Sequence, residues 1–143
     1  MTKEKTLMII KPDGMKHKDE ILKRVKQTGL KIAKQKQEKS KKDIFAEFYA
    51  HVKPKNEKVY NNLVSYMSAE EIILLLIQGE NAISKIRSIT GVTDPEFADK
   101  GTIRGDLSTD KKRIANAEER SVHNVVHSSG NSEEAEKEIK FFF

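Results

Sequence analysis

The chain has 143 residues, of which 36% are hydrophobic and 34% are charged, and it contains no cysteine. This length suits a single domain over residues 1–143, with a core large enough to fold without disulfide bonds. The absence of cysteine excludes disulfides, thiolate zinc sites and cysteine nucleophiles.

Charge and hydropathy narrow the classes of function further. The net charge is +5, and residues 1–42 carry 14 basic and 5 acidic side chains, so the positive excess lies in this first part. A basic region attracts polyanions such as nucleotides, nucleic acids or acidic lipids, without choosing among them. The longest apolar run, 72–77, has six residues, whereas a membrane span needs about 20. We therefore expect a soluble, cytoplasmic protein with no membrane segment.

The first third of the chain predicts a strand, a helix and a second strand. Residues 6–10 (TLMII) form a short apolar run that the Lys-Pro-Asp-Gly turn at 11–14 ends, which is typical of a buried strand. Residues 19–28 place their apolar side chains on one helical face, and Gly29 follows where a helix ends. Leu30 begins a stretch in which apolar and polar residues alternate, and the alternation is lost in the lysine-rich residues that follow. This pattern indicates a weak strand at a sheet edge.

The middle of the chain predicts two helices and a central strand. Residues 40–43 (SKKD) have the spacing of a capping box before a helix that contains Phe45 and Tyr49. After a loop with Pro54, a second helix carries Tyr60, Leu63, Val64 and Met67 at helical spacing. The run 72–77 is too short for a buried helix and fits a central strand.

The last third predicts two more helices and a final strand. Residues 81–90 indicate a helix, 91–106 a loop, and 108–120 are charged and leave the element undecided. Val122, Val125 and Val126 suggest the last strand, and residues 132–140 a helix with acid near its N-terminus. The element order predicts an α+β fold, a ferredoxin-like βαββαβ sandwich with an antiparallel sheet and helices on its faces.

Four blocks could carry chemistry, although each taken alone also fits a structural role. Lys11 leaves a strand end, where an ammonium group can meet a phosphate. Residues 87–106 offer arginines, threonines and glycines that suit phosphate oxygens. His127 ends a strand and can be neutral and nucleophilic at pH 7, and a glutamate from helix 132–140 could orient its ring. The alternatives are an ordinary turn, a solvated loop, a structural histidine and a solvated acidic face.

Taken in order, these blocks resemble the nucleoside diphosphate kinase family. The matching strings are TLMIIKPDG (6–14), QGENAISKIRSITGVTDP (78–95), KGTIRGD (100–106) and NVVHSSGNSEEAEKEI (124–139). The resemblance implies a ferredoxin-like fold, in agreement with the element order. It also implies reversible transfer of the γ-phosphate from a nucleoside triphosphate, typically ATP, to a nucleoside diphosphate. The implied mechanism is ping-pong through a phosphohistidine, with Mg²⁺ carried on the nucleotide.

The resemblance implies catalytic roles for a small group of residues around one histidine. His127 matches the nucleophile, which uses its Nδ1, and Glu138 matches the carboxylate that holds the other ring nitrogen. Ser129 matches the hydroxyl beside that pair, and Tyr49 matches a tyrosine near the histidine.

The resemblance also implies a set of nucleotide contacts. Lys11 and Asn124 match residues that hold the sugar hydroxyls, and Lys11 also lies near the phosphates. Arg87 and Thr93 match contacts to the β-phosphate, and Arg104 matches a contact to the transferring phosphate. The set is physically coherent, because phosphoryl transfer needs alignment and positive charge around the phosphoryl oxygens.

The sequence departs from the family pattern at several points. Where the family stacks a phenylalanine on the base, this chain has Val59, with Tyr60 next to it. Gly130 replaces a carboxylate near the metal, and His123 stands where an arginine is common. The stretch between Arg104 and Asn124 is about ten residues longer than in compact members. Because family members are usually hexamers and sometimes tetramers, we expect a homo-oligomer.

The best alternative function is a nucleic-acid-binding ferredoxin-like module, which the basic first part of the chain favours. Such a module would expose aromatic side chains on its sheet. The strands predicted here are aliphatic, and the chain has no tryptophan. Weak, salt-sensitive nucleic-acid binding as a second property stays an open alternative.

Overall fold

The computed structural model describes residues 3–143, which form an antiparallel sheet of four strands with helices on both faces. The strands are β1 (Lys3–Ile10), β2 (Lys31–Glu38), β3 (Ile72–Glu80) and β4 (Val126–Ser128). The helices are α1 (Lys18–Gln27), α2 (Lys42–Phe48), α3 (Glu57–Ala69), α4 (Ala82–Thr90), α5 (Ile103–Leu107), α6 (Lys112–Ala117) and α7 (Ser132–Phe142).

The strand order is β2-β3-β1-β4, and every neighbouring pair is antiparallel. This order confirms the ferredoxin-like α+β fold. The central pair, β1 and β3, runs in register from Lys3 opposite Glu80 to Ile10 opposite Ile73. Strand β2 lies at the edge and is largely exposed, as its broken pattern predicts. Its lysines suit an edge, because charged side chains discourage pairing with another chain.

Both faces of the central strands are buried, which explains their continuous apolar sequences. On one face, Met8 and Ile10 pack with side chains of α1 and α4. On the other face, Leu7 and Ile9 pack with α2, α3 and the end of α7. Alternate residues of β1 therefore contribute to two separate cores.

Several local predictions are wrong in detail. The N-cap of α2 is Lys41, without a side-chain cap bond, so the capping box beginning at Ser40 does not form. The stretch predicted as a loop, 91–106, contains a short 3-10 helix (Pro95–Phe97) and the beginning of α5. The last strand has only three residues and excludes Val125, which has a positive φ of 74°. A residue in that conformation cannot continue a strand.

Segment 108–120, the longer stretch noted in the sequence, folds around α6. The Arg120 guanidinium makes a two-pronged ion pair with Asp110, with distances of 2.7 and 3.1 Å. This pairing lowers the pKa of Asp110 strongly and raises that of Arg120. None of the helices within residues 3–143 has the length and apolar character that crossing a membrane requires.

Candidate active site

The site is built where β4 meets the C-terminal helix. His127 lies in β4 opposite Ile9 of β1, and α7 packs back across β1 so that Glu138 reaches the imidazole ring. The Nε2 atom of His127 lies 2.9 Å from Oε1 of Glu138. The fully buried Ser129 donates its hydroxyl to the same carboxylate oxygen at 2.8 Å. Glu138 therefore contacts both His127 and Ser129, two of the residues that the resemblance groups with it.

The hydrogen bonds of Glu138 determine its charge and the tautomer of the ring. Burial would raise the pKa of Glu138, but the bonds from His127 and Ser129 outweigh it and hold the pKa below its usual value. An ionised carboxylate can only accept, so Nε2 of His127 must carry the proton. In the neutral ring the lone pair is then on Nδ1, which has no hydrogen-bond partner within residues 3–143. The geometry therefore presents Nδ1 as the free nucleophilic atom.

Aromatic side chains from the C-terminal end of α2 and from α7 lie near this ring. Phe48 meets the His127 ring edge-on, with centroids 5.8 Å apart, and Tyr49 packs against Phe48. Burial raises the pKa of Tyr49, and the nearby charge of Glu138 adds to the rise, so its phenol stays protonated. These residues, with His51 and Phe141, line an open recess of about 900 Å³ that we call the His127 recess. The recess gives access to the imidazole.

A chain of polar contacts runs from the end of β1 to the turn before His127. The Lys11 ammonium donates to Oδ1 of Asn124 at 2.8 Å, and both residues are buried. Asn124 in turn donates from Nδ2 to the backbone carbonyl of Thr93 at 2.9 Å. Burial, with repulsion from Arg104, lowers the pKa of Lys11 to about 8. The two residues matched to the sugar are thus held together, whereas Thr93 contributes its carbonyl here and exposes its side chain.

Two arginines provide the positive charge of the site. Arg104 at the start of α5 is buried, and its guanidinium donates to the carbonyls of Asn124, Gly91 and Val126 at 3.2, 3.0 and 2.8 Å. Burial and the nearby charge of Arg87 lower the pKa of Arg104 to about 10, so it remains charged at pH 7. Arg87 is exposed on α4. Because the charge of Arg87 acts on Arg104, an anionic ligand near both groups would relieve their repulsion.

The sequence reasoning missed the role of Asp13, which lies in the turn after β1. Its carboxylate accepts from the backbone N–H of Val125 at 3.0 Å and from the hydroxyl of Tyr66 at 2.5 Å. Gly14 follows, and a Cβ at this position would lie 2.4 Å from the carbonyl oxygen of Val125. The Lys-Pro-Asp-Gly string was the available signal. It identified a turn, but not the distant segment that the turn contacts.

The two residues matched to base stacking lie apart from these groups. Val59 and Tyr60 occupy the first turn of α3, and neither lines the His127 recess. The Tyr60 hydroxyl donates to the carbonyl of Ala46 at 3.0 Å. A base-stacking role for either residue stays a prediction.

Comparison with known proteins gives the same family across the whole chain. The family model described as nucleoside diphosphate kinase matches residues 4–143. The protein named nucleoside diphosphate kinase 1 of Protochlamydia amoebophila (strain UWE25) is 41% identical over 100% of this chain and 94% of its own. The nucleoside diphosphate kinase of Metallosphaera sedula is 34% identical over 100% of this chain and 95% of its own.

Solved structures agree with these sequence matches. A nucleoside-diphosphate kinase from Borrelia burgdorferi, described as a transition state mimic with bound vanadate and ADP, superposes with a TM-score of 0.90 at 30% identity. The match covers 99% of this chain and 87% of that one. An NDP kinase from Pyrobaculum aerophilum gives a TM-score of 0.89 at 32% identity, covering 99% and 96% of the two chains.

Proposed function

The chain belongs to the nucleoside diphosphate kinase family, and we propose that His127 is the residue that carries the phosphoryl group in its reaction. The enzyme transfers the γ-phosphate of a nucleoside triphosphate to a nucleoside diphosphate. The alternative of a nucleic-acid-binding module is not favoured, because the whole chain matches phosphotransferases. The observation that carries the proposal is the contact between His127 and Glu138, which leaves Nδ1 free.

The reaction proceeds in two displacements at one phosphorus atom. In the first, the Nδ1 lone pair of His127 attacks the γ-phosphorus of the triphosphate. A nitrogen–phosphorus bond forms, the bond to the bridging oxygen breaks, and the diphosphate leaves. In the second, a terminal oxygen of another nucleoside diphosphate attacks that phosphorus, and the lone pair returns to Nδ1. A stable phosphohistidine lets one nucleotide site serve donor and acceptor in turn.

Glu138 and Ser129 act on His127 rather than on the nucleotide. As Nδ1 bonds to phosphorus, the imidazole gains positive charge, which the ionised Glu138 carboxylate stabilises through Nε2–H. Ser129 fixes the carboxylate oxygen in place. Tyr49, packed beside Phe48 in the wall of the His127 recess, is a positioning residue for the ring.

The cationic residues align the phosphates and absorb their charge. Arg104 acts on the transferring phosphoryl group, and Arg87 with Thr93 on the β-phosphate. Lys11 and Asn124 hold the sugar hydroxyls, and Lys11 adds charge near the phosphates. Phosphoryl transfer depends mainly on such alignment and electrostatic stabilisation.

Mg²⁺ enters this scheme as part of the substrate. Residues 3–143 contain no group of three or more histidine, aspartate or glutamate side chains placed to hold a metal ion. Gly130 lies beside the site at a position where the family pattern has a carboxylate. The family resemblance implies a cation held by the nucleotide phosphates, where it would neutralise their charge.

We also propose that this single domain assembles as a homohexamer, or as a homotetramer. The loop around Pro95, which commonly joins subunits in the family, carries two exposed apolar side chains. Val92 is 56% exposed and Phe97 is 73% exposed. Light scattering after size-exclusion chromatography measures the assembly, and a monomer at micromolar concentration would contradict it.

A labelling experiment tests the proposed function. The purified protein is mixed with ATP labelled at the γ-phosphate, and protein-bound phosphate is tested for lability in acid and stability in base. A chase with GDP should then release labelled GTP. His127→Ala should abolish both signals, while His17→Ala, a histidine that lines neither the site nor its recess, should retain them. Normal phosphoenzyme from His127→Ala would overturn the assignment of the nucleophile.

A further inference from the structure

A second cavity lies on the sugar side of the site and is separate from the His127 recess. Its volume is about 300 Å³, at the lower end of the range for small-molecule sites. Its walls come from the end of β1, from α3 and from the residues around segment 108–120, and they include Lys11, Asn62, Tyr66, Arg120 and His123. We call it the His123 cavity. Since Lys11 is a proposed sugar contact, the cavity adjoins the proposed position of the nucleoside.

His123 lines this cavity and is partly exposed. Its ring is stacked on the ring of Tyr66, with centroids 4.2 Å apart and planes 10° apart. Neither ring nitrogen has a hydrogen-bond partner within residues 3–143. The pKa of His123 is lowered, mainly by burial, so the ring is neutral at pH 7. A neutral, half-buried imidazole with free nitrogens has planar and polar surface available to a ligand.

Segment 108–120 fixes the backbone of His123 on both sides. The carboxylate of Asp110 accepts from the His123 N–H at 2.8 Å, and the Ser108 hydroxyl donates to the His123 carbonyl at 2.7 Å. Arg120 in turn clamps Asp110. On the other side of the stack, Asp13 holds the Tyr66 hydroxyl. The stacked pair is therefore held in place from both ends before any ligand arrives.

The same segment bridges two parts of the molecule across the cavity. Asn62 of α3 donates to the carbonyl of Glu119 at 2.9 Å, and Lys58 pairs with the Glu119 carboxylate at 3.0 Å. At its other end, Arg113 pairs with Glu96 at 3.1 Å. Segment 108–120 thus spans from α3 to the loop after α4.

We propose that His123, supported by Tyr66 and positioned by segment 108–120, is the surface on which the nucleotide base stacks in this enzyme. The inference rests on the proposed function and identifies the part of the chain that recognises the base. It explains how the enzyme can hold a base although Val59 stands at the position of the family's stacking phenylalanine. Because stacking on a flat ring accepts any base, the ligand class is purine and pyrimidine nucleoside diphosphates alike.

Two ligands and two variants test the role of His123. ADP carries a base, whereas inorganic tripolyphosphate carries only the phosphates, and calorimetry gives the dissociation constant of each. His123→Ala should weaken ADP binding about tenfold and leave tripolyphosphate binding unchanged. His123→Phe, which keeps the flat ring, should bind ADP within about twofold of the wild type. His17→Ala is the matched control and should behave as the wild type.

Two results would overturn this inference. One is His123→Ala binding ADP as tightly as the wild type does. The other is an equal loss of ADP and tripolyphosphate, which would indicate a structural role for the ring. Failure of the proposed function is distinguishable, because the wild-type protein would then acquire no label on His127 from γ-labelled ATP, whatever its affinity for ADP.

Discussion

The Asp13 carboxylate and the backbone N–H of Val125 form a 3.0 Å hydrogen bond between residues that lie 112 positions apart in the sequence. Val125 has a positive φ of 74°, a conformation that a β-branched residue rarely adopts. The bond from Asp13 helps to hold that conformation. Two residues later the chain reaches His127, so the turn after β1 determines how the nucleophile enters the site.

Removing the carboxylate should therefore affect both stability and catalysis. Asp13→Ala leaves the Val125 N–H and the Tyr66 hydroxyl without their acceptor, and we expect a loss of about 1–3 kcal/mol in the free energy of unfolding. Urea denaturation measures the loss, and phosphoenzyme formation should slow in parallel. Asp19→Ala, at an exposed position on α1, is the control. Equal stability of Asp13→Ala and the wild type would contradict the role assigned to this bond.

Glycine 14 should tolerate no larger residue. A Cβ there would lie 2.4 Å from the Val125 carbonyl oxygen, so Gly14→Ala must displace the backbone before His127. We expect a loss of about 1–3 kcal/mol together with loss of phosphoenzyme formation. Gly29→Ala is the matched control, since the space around it is open and only its φ of +82° opposes a side chain. That variant should lose about 1–2 kcal/mol and keep its activity. Equal activity of the two variants would contradict the steric argument.

The lowered pKa of Lys11 predicts a pH dependence of nucleotide binding. With a pKa of about 8, the ammonium is charged at pH 7 and largely neutral at pH 9, so ADP affinity should fall about tenfold over that range. Lys11→Gln should bind more weakly at pH 7 and show a flatter profile. Calorimetry at a series of pH values measures both. A wild-type affinity that is constant from pH 7 to pH 9 would argue against this charge in the site.

The same pKa predicts the sign of a stability change. Burial lowers the pKa of Lys11 from its ordinary value of 10.5, so between pH 8 and that value the unfolded chain binds more protons than the folded one. The contribution of Lys11 to folding stability should therefore rise with pH in this window. Comparing the urea midpoints of the wild type and Lys11→Gln isolates it. A difference that does not change with pH would contradict the assigned shift.

Segment 108–120 should loosen when its clamp is removed. Asp110→Ala removes the acceptor of both Arg120 and the His123 N–H, and we expect faster hydrogen exchange over residues 121–124. Exchange measured by mass spectrometry reports this directly. Asp99→Ala, at an exposed position outside the segment, should not change the pattern. Unchanged protection in Asp110→Ala would show that the clamp does not position His123.

Patterns along the chain predicted the fold where burial determines the sequence. The run Ile72–Ile77 marked the central strand because both of its faces are covered, and Gly29 marked the end of α1. Prediction failed where a distant contact determines the conformation. Valine is a residue type that favours strands, yet the contact of Val125 with the turn at Asp13 and Gly14 places it outside the strand.

In the site, too, local patterns predicted candidate residues but not the contacts between distant residues. Local patterns identified Lys11 and His127 as candidates but left a structural role open for each. The residues predicted that a glutamate of helix 132–140 could orient His127, and the family resemblance selected Glu138, eleven residues later. Local pattern could not establish this contact, because it depends on α7 packing back over β1. The stack of Tyr66 on His123 had no local signal, since 57 positions separate the two residues.

The position of the phosphate on the phosphoenzyme tests the central claim most directly. Protein labelled with ¹⁵N in its histidine rings is phosphorylated with ATP, and nitrogen–phosphorus NMR couplings identify the bonded nitrogen. The structure predicts one phosphate on Nδ1 of His127, because Glu138 holds the proton on Nε2. A phosphate on Nε2 of His127, or on any other side chain, would contradict the account.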